Sequence, residues 1–87
     1  MLKLFVLNVD EFAGLINFAR TNPACQVEDT GKGYTRIVAK APITFNRREL
    51  GFSPAIWYGA FTGGLDGHIA SFGRDEVVLT GRDMAVD

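Results

Sequence analysis

Sulfur and imidazole are scarce in this chain: Cys25 is the one cysteine and His68 the one histidine among 87 residues. A lone cysteine forms no intramolecular disulfide, and no cluster of thiols and imidazoles is available for zinc. Stability must therefore come from packing, in a single domain over residues 1–87 that buries roughly 60–65% of its unfolded surface. An unpaired thiol fits a reducing, cytoplasmic setting. No motif calls for a cofactor or a metal, and none is expected.

A basic excess is also missing. Nine Lys and Arg against ten Asp and Glu leave a net charge of −1, and no basic run exceeds Arg47-Arg48. General nucleic-acid binders displace counterions from phosphates with clustered cations, so this balance argues against one. Long apolar runs are absent too. The opening "MLKLFVLNVDEF" is too short to span a membrane and lacks a small-residue cleavage site. It reads as a strand, and the expectation is a soluble, non-exported protein with no membrane partner.

Aromatic and aliphatic side chains are plentiful. Hydrophobic residues make up 47% of the chain, with seven Phe, two Tyr and one Trp. A domain this small cannot bury all of them. Some apolar surface is expected to meet another surface, a second copy of the chain in a homodimer being the first choice.

Residues 2–9, "LKLFVLNV", are nearly all apolar, the pattern of a central strand covered on both faces. Asp10 then has the position of an N-cap, with Glu11 in the first turn. Phe12, Leu15, Ile16 and Ala19 recur at helical spacing, Phe18 flanks them, and Pro23 ends the helix near residues 21–22. Gly14 costs that helix about 1 kcal/mol relative to Ala, and a close approach to a sheet would explain it. The stretch "CQVEDTGKGYTRIVAK" alternates as a β-hairpin around "TGKG", and "ITF" after Pro42 continues as a strand.

"NRRELG" predicts one helical turn capped by Asn46 and stopped by Gly51. Phe52, Ser53, Pro54 and Trp57 fall at N′, N-cap, N1 and N4, with Phe52 set to staple onto Trp57. These caps favour a helix over 54–62 closed by Gly63, although the rings and Gly59 would also suit a strand. "HIASF" and "EVVLT" form a second hairpin around "GRD", a triplet that recurs at Gly81 as a similar turn. Residues from about Arg82 add at most an edge strand. The expected fold is α+β: one antiparallel sheet of four to five strands with two helices, about 10–21 and 54–62, on one face.

Candidate chemistry is sparse. "TGGLDG" follows a helix and so presents carbonyls, which repel phosphate; its glycines read as turn residues. His68 and Asp66 lie two apart, and in an extended strand they would share a face as an acid–base pair. Cys25 has a single imidazole in the chain to activate it and reads as a small buried thiol. Arg47 and Arg48 in "NRRE" can grip an anion, or they sit in a solvated turn with Glu49 neutralising one of them. Tyr34, Arg36 and Lys40 share a strand face able to stack and grip single-stranded nucleic acid. Trp57 and Phe61 lie four apart on one helix face, and Tyr58 points away.

The expected ligand-binding surface is an aromatic wall from Trp57 and Tyr58 with His68, Asp66, Arg47 and Arg48 supplying polar groups. The leading expectation is a small, non-enzymatic, self-associating module that binds a small molecule or a protein through that surface. A small enzyme using His68 and Asp66 comes second, and a nucleic-acid module using Tyr34, Arg36 and Lys40 third.

Overall fold

A computed structural model of the chain describes residues 1–61 and 64–81. The described chain runs β1 (Leu2–Leu7), a 3₁₀ turn (Asp10–Phe12), α1 (Ala13–Thr21), β2 (Cys25–Asp29), β3 (Tyr34–Ala39), β4 (Ile43–Asn46) and α2 (Arg47–Leu50). It continues through α3 (Pro54–Ala60), β5 (Leu65–Asp66), β6 (His68–Phe72) and β7 (Glu76–Thr80). The fold is α+β, but its strands form two antiparallel sheets rather than the single sheet expected. One has the order β2-β3-β1-β5, the other β4-β7-β6.

The division follows from the pairing of β4 with β7. β4 and β7 carry inward apolar residues at matching spacing, and they pair as Ile43 with Leu79 and Phe45 with Val77. β4 therefore leaves the β2–β3 hairpin and joins the late strands. The chain crosses between sheets at Gly67, between β5 and β6. A Cβ there would sit 2.5 Å from the Thr80 carbonyl oxygen and 2.8 Å from a Leu2 methyl, so only glycine fits this crossing.

In the first sheet, β1 and β2 both pair antiparallel with β3. They thus run parallel to each other, with α1 as the crossover, a split β-α-β unit. Leu15 and Ala19 of α1 are fully buried, and Phe12, Ile16 and Phe18 pack against the core. Asp10 is not the N-cap. It lies inside the 3₁₀ turn, where the Val9 carbonyl accepts from the Phe12 N–H at 3.0 Å. Gly14 does permit a close approach, but to α2 and not to a sheet: a Cβ there would overlap the Leu50 carbonyl oxygen.

The shorter motifs form as their sequences predict. Asn46 accepts from the N–H groups of Arg48 and Glu49, Gly51 ends α2 in the left-handed conformation, and Ser53 caps α3 with Pro54 in its first turn. The stretch 54–60 is helix, not strand. Its expected closing residue, Gly63, lies outside the described residues, as do all of the second "GRD" but Gly81 and the edge strand from Arg82.

α1 packs on the first sheet and reaches the second through Phe18, whose ring meets Phe45 at 5.5 Å, while Phe61 and the rings of α3 meet Phe45 and Phe72. Phe61 stacks on Phe45 at 5.4 Å, and Trp57 meets Phe61 at 5.1 Å and Phe72 at 5.8 Å. One continuous cluster of buried side chains runs from Leu2, Leu4 and Ile37 of the first sheet to Phe45, Val77 and Leu79 of the second.

The inner position expected for β1 is observed, between β3 and β5. Cover on both its faces is not seen among the described residues. Leu2, Leu4 and Val6 point into the core, while Phe5 and Leu7 on the other face remain exposed.

Candidate functional site

The aromatic segment expected to wall a ligand site is mostly interior. Trp57 has 0% of its surface exposed, and its Nε1–H is donated to the Gly73 carbonyl at 2.9 Å. Phe61 is equally buried. Tyr58 is the exposed ring, and it stacks on Phe72 at 5.6 Å with the planes 11° apart. The expected staple is replaced, because the Phe52 ring packs edge-on against Phe12 at 6.1 Å.

Arg47 is held from several directions. Its Nε and Nη2 donate to Asp75 Oδ1 at 3.0 and 2.8 Å, and its Nη1 donates to the Phe52 carbonyl at 3.0 Å. Its backbone N–H donates to the Asp75 carbonyl at 2.7 Å. The guanidinium thus ties α2 to the β6–β7 turn. Arg48 is exposed and reaches Asp75 Oδ2 only at 4.0 Å. The hydrogen bond from Arg47, and then the charges of Arg47, Arg48 and Arg74, hold the Asp75 carboxyl below the usual carboxylate range. The counter-ion in this cluster is Asp75, not the Glu49 suggested by adjacency.

His68 and Asp66 do not occupy one strand. Asp66 ends β5 opposite Lys3 in the first sheet, and His68 begins β6 opposite Thr80 in the second. The spacing that would align them on one strand face is interrupted by the crossing at Gly67. Cys25 is half-buried opposite Ala39, and burial pushes its thiol pKa up, away from the thiolate a nucleophile requires. Among the described residues, no group of three or more His, Cys, Asp and Glu is placed to hold a metal ion.

The most developed surface feature is the face of the first sheet turned away from α1. Register sets its rows. Leu7 pairs with Tyr34, Phe5 with Arg36, and Lys3 with Val38. Arg36 pairs onward with Glu28, and Val38 with Gln26. Phe5, Leu7 and Tyr34 are 36%, 45% and 44% exposed. Arg36 forms an ion pair with Glu28 across the strands.

Toward the β2–β3 turn this face forms a cleft of about 500 Å³ lined by Phe5, Tyr34, Arg36, Lys32, Glu28 and Asp29. Tyr34 and Arg36 of the nucleic-acid candidates meet here. Lys40 instead lines a second cleft of about 210 Å³ with Met1, Gln26 and Val38. Phe5 and Leu7 are the surface residues that sequence reasoning missed. Their signal is the consecutive apolar stretch Leu4–Leu7 of β1, a pattern that burial on both faces also produces.

No helix among the described residues is long and apolar enough to cross a membrane. Compared with protein-family models and with curated proteins, the chain matches none.

Proposed function

We propose that this chain is a non-catalytic module that self-associates through the open face of its four-stranded sheet. One observation carries the reading: β1 bears apolar side chains on both faces, and among the described residues Phe5 and Leu7 on one of them stay partly exposed. A strand with one wet face alternates apolar with polar residues. β1 breaks that alternation at Phe5 and Leu7, and Tyr34 extends the apolar area onto β3. Contiguous exposed apolar surface of this kind marks a contact with another macromolecule.

The charge on this face favours protein over nucleic acid. Arg36 is already engaged by Glu28, and Glu28 and Asp29 line the same cleft as Tyr34. The two cations of the cleft, Arg36 and Lys32, are thus matched by two carboxylates, which leaves no basic excess for a phosphate backbone. An acid–base role for His68 and Asp66 has no comparable support, since they belong to different sheets. The reading also replaces Trp57 and Arg47 as contact residues, because both are engaged in holding α2 and α3 to the β6–β7 hairpin. A cytoplasmic setting remains the proposal that suits a lone, half-buried thiol.

The test is a pair of surface substitutions read by sedimentation across a dilution series. Leu7→Asp buries a charge in the proposed contact and is expected to weaken association on the order of tenfold or more. Ile69→Asp, exposed on β6 of the other sheet, is expected to leave association unchanged. An unaltered mass distribution for a folded Leu7→Asp variant overturns the reading.

A further inference from the structure

We infer that the cleft around Lys40 binds a small monocarboxylic acid with a short aliphatic tail. The inference does not depend on self-association, because this cleft lies at the opposite end of β1 and β3 from Leu7 and Tyr34.

Register builds the cleft. Leu2 of β1 and Cys25 of β2 both pair with Ala39. The next residue, Lys40, therefore has Met1 on one flank and Ala24 on the other. Alternation along β3 carries Lys40 to the same face as Arg36 and Val38. Val38 is half-buried one row further in, beside Gln26. Pro23, Ala24 and Ala41 complete the walls of a space of about 210 Å³. It corresponds to the liquid volume of about seven waters, the scale of a small molecule.

Its walls are apolar apart from two side chains, the Lys40 ammonium and the Gln26 amide. Small-molecule sites share this make-up, in which apolar walls supply contact and a few polar groups fix orientation.

Charge selects the occupant. Two other cations on this face of β1 and β3 have a carboxylate opposite: Arg36 is paired with Glu28, and Lys3 stands across from Asp66. Lys40 has none. No carboxylate lines its cleft, and it makes no ion pair with a described residue. The Gln26 side chain likewise has no hydrogen-bond partner among the described residues. A carboxylate can accept a charge-assisted hydrogen bond from Lys40 Nζ and a second from Gln26 Nε2. An aliphatic tail then covers Val38 and Met1. A phosphate dianion brings a second charge and no apolar part, and would leave the walls unmatched.

The test titrates the isotope-labelled chain with sodium hexanoate at fixed ionic strength and follows the amide signals by NMR. Saturable shifts centred on Gln26, Val38, Lys40 and Ala41 are expected. Hexanamide keeps the tail without the charge and is expected to bind at least about tenfold more weakly. Acetate keeps the charge without the tail and is also expected to bind more weakly. Lys40→Met preserves the stem and removes the ammonium. It is expected to lose hexanoate affinity at least about tenfold and to leave hexanamide binding unchanged. The rest of the spectrum verifies folding, and Lys40→Gln replaces a Met variant that does not fold. The inference is overturned by the absence of saturable shifts in the cleft, or by a folded Lys40 variant that binds hexanoate as tightly as the wild type. Acetate or hexanamide binding as tightly as hexanoate overturns it as well. N-acetylleucine binding tenfold more tightly than hexanoate would make the occupant a peptide C-terminus and overturn the free acid.

Discussion

The indole N–H of Trp57 reaches the Gly73 carbonyl at 2.9 Å, fastening α3 to the turn of the β6–β7 hairpin. The one Trp of the chain is therefore a joint between elements. Trp57→Phe keeps much of the ring volume and removes the donor, and is expected to cost about 1–3 kcal/mol. Trp57→Ala also opens a cavity between Phe61 and Phe72 and is expected to cost about 3–5 kcal/mol. Denaturant unfolding followed by circular dichroism checks both, since these variants have no tryptophan to report by fluorescence. A Trp57→Phe variant as stable as the wild type would remove the joint from the account.

The Arg47–Asp75 contact gives the fold a defined acid sensitivity. Asp75 has a folded pKa lowered mainly by the hydrogen bond from Arg47. The unfolded chain therefore binds this proton more readily, and the stability from the contact is present above the ordinary Asp value of about 3.9. It is lost as the pH falls through the lower folded value. Asp75→Asn is expected to lower the melting temperature at pH 7 and to flatten the decline below about pH 4. Thermal melts of both proteins from pH 7 to pH 2 measure it, and parallel curves would contradict it.

Gly14→Ala separates helix propensity from packing. Propensity alone predicts a gain of about 1 kcal/mol. The added methyl would overlap the Leu50 carbonyl oxygen where α1 crosses α2. A backbone atom cannot move aside as a side chain does, so the expected result is a net loss of about 1–3 kcal/mol. A denaturant midpoint that rises on this substitution would mean that the two helices separate without cost.

His68→Ala addresses the acid–base alternative. His68 is exposed at the start of β6, in the other sheet from the proposed contact face. Stability is expected to change by less than about 0.5 kcal/mol, and association not at all. A marked fall in association, measured by sedimentation, would move the contact surface toward β6.

What the sequence made legible was local. Asn46, Gly51 and the Ser53-Pro54 pair each sit within a few residues of the helix ends they set, so their roles can be read directly from the chain. The β2–β3 hairpin is legible for the same reason. Partnerships between distant segments were not. Alternation in β4 says that Ile43 and Phe45 face one way, but not that their partners are Leu79 and Val77. Arg47 meets Asp75 across 28 positions, and nothing near either residue announces the other. The candidate site was misread through the same ambiguity. A largely apolar strand reads alike whether its second face is covered by its own chain or by another, and Trp57 reads alike as a core ring and as a surface ring. The separation of Asp66 from His68 depends on Gly67, whose need for glycine arises from Thr80 and Leu2, both distant in the chain.

The central claim is that the open face of the first sheet is covered by a second copy. The most direct measurement is the solution mass of the unaltered chain by light scattering across a dilution series. The account predicts a mass of twice 9.5 kDa that falls toward the single-chain value only on dilution. A mass of 9.5 kDa at every concentration would contradict it.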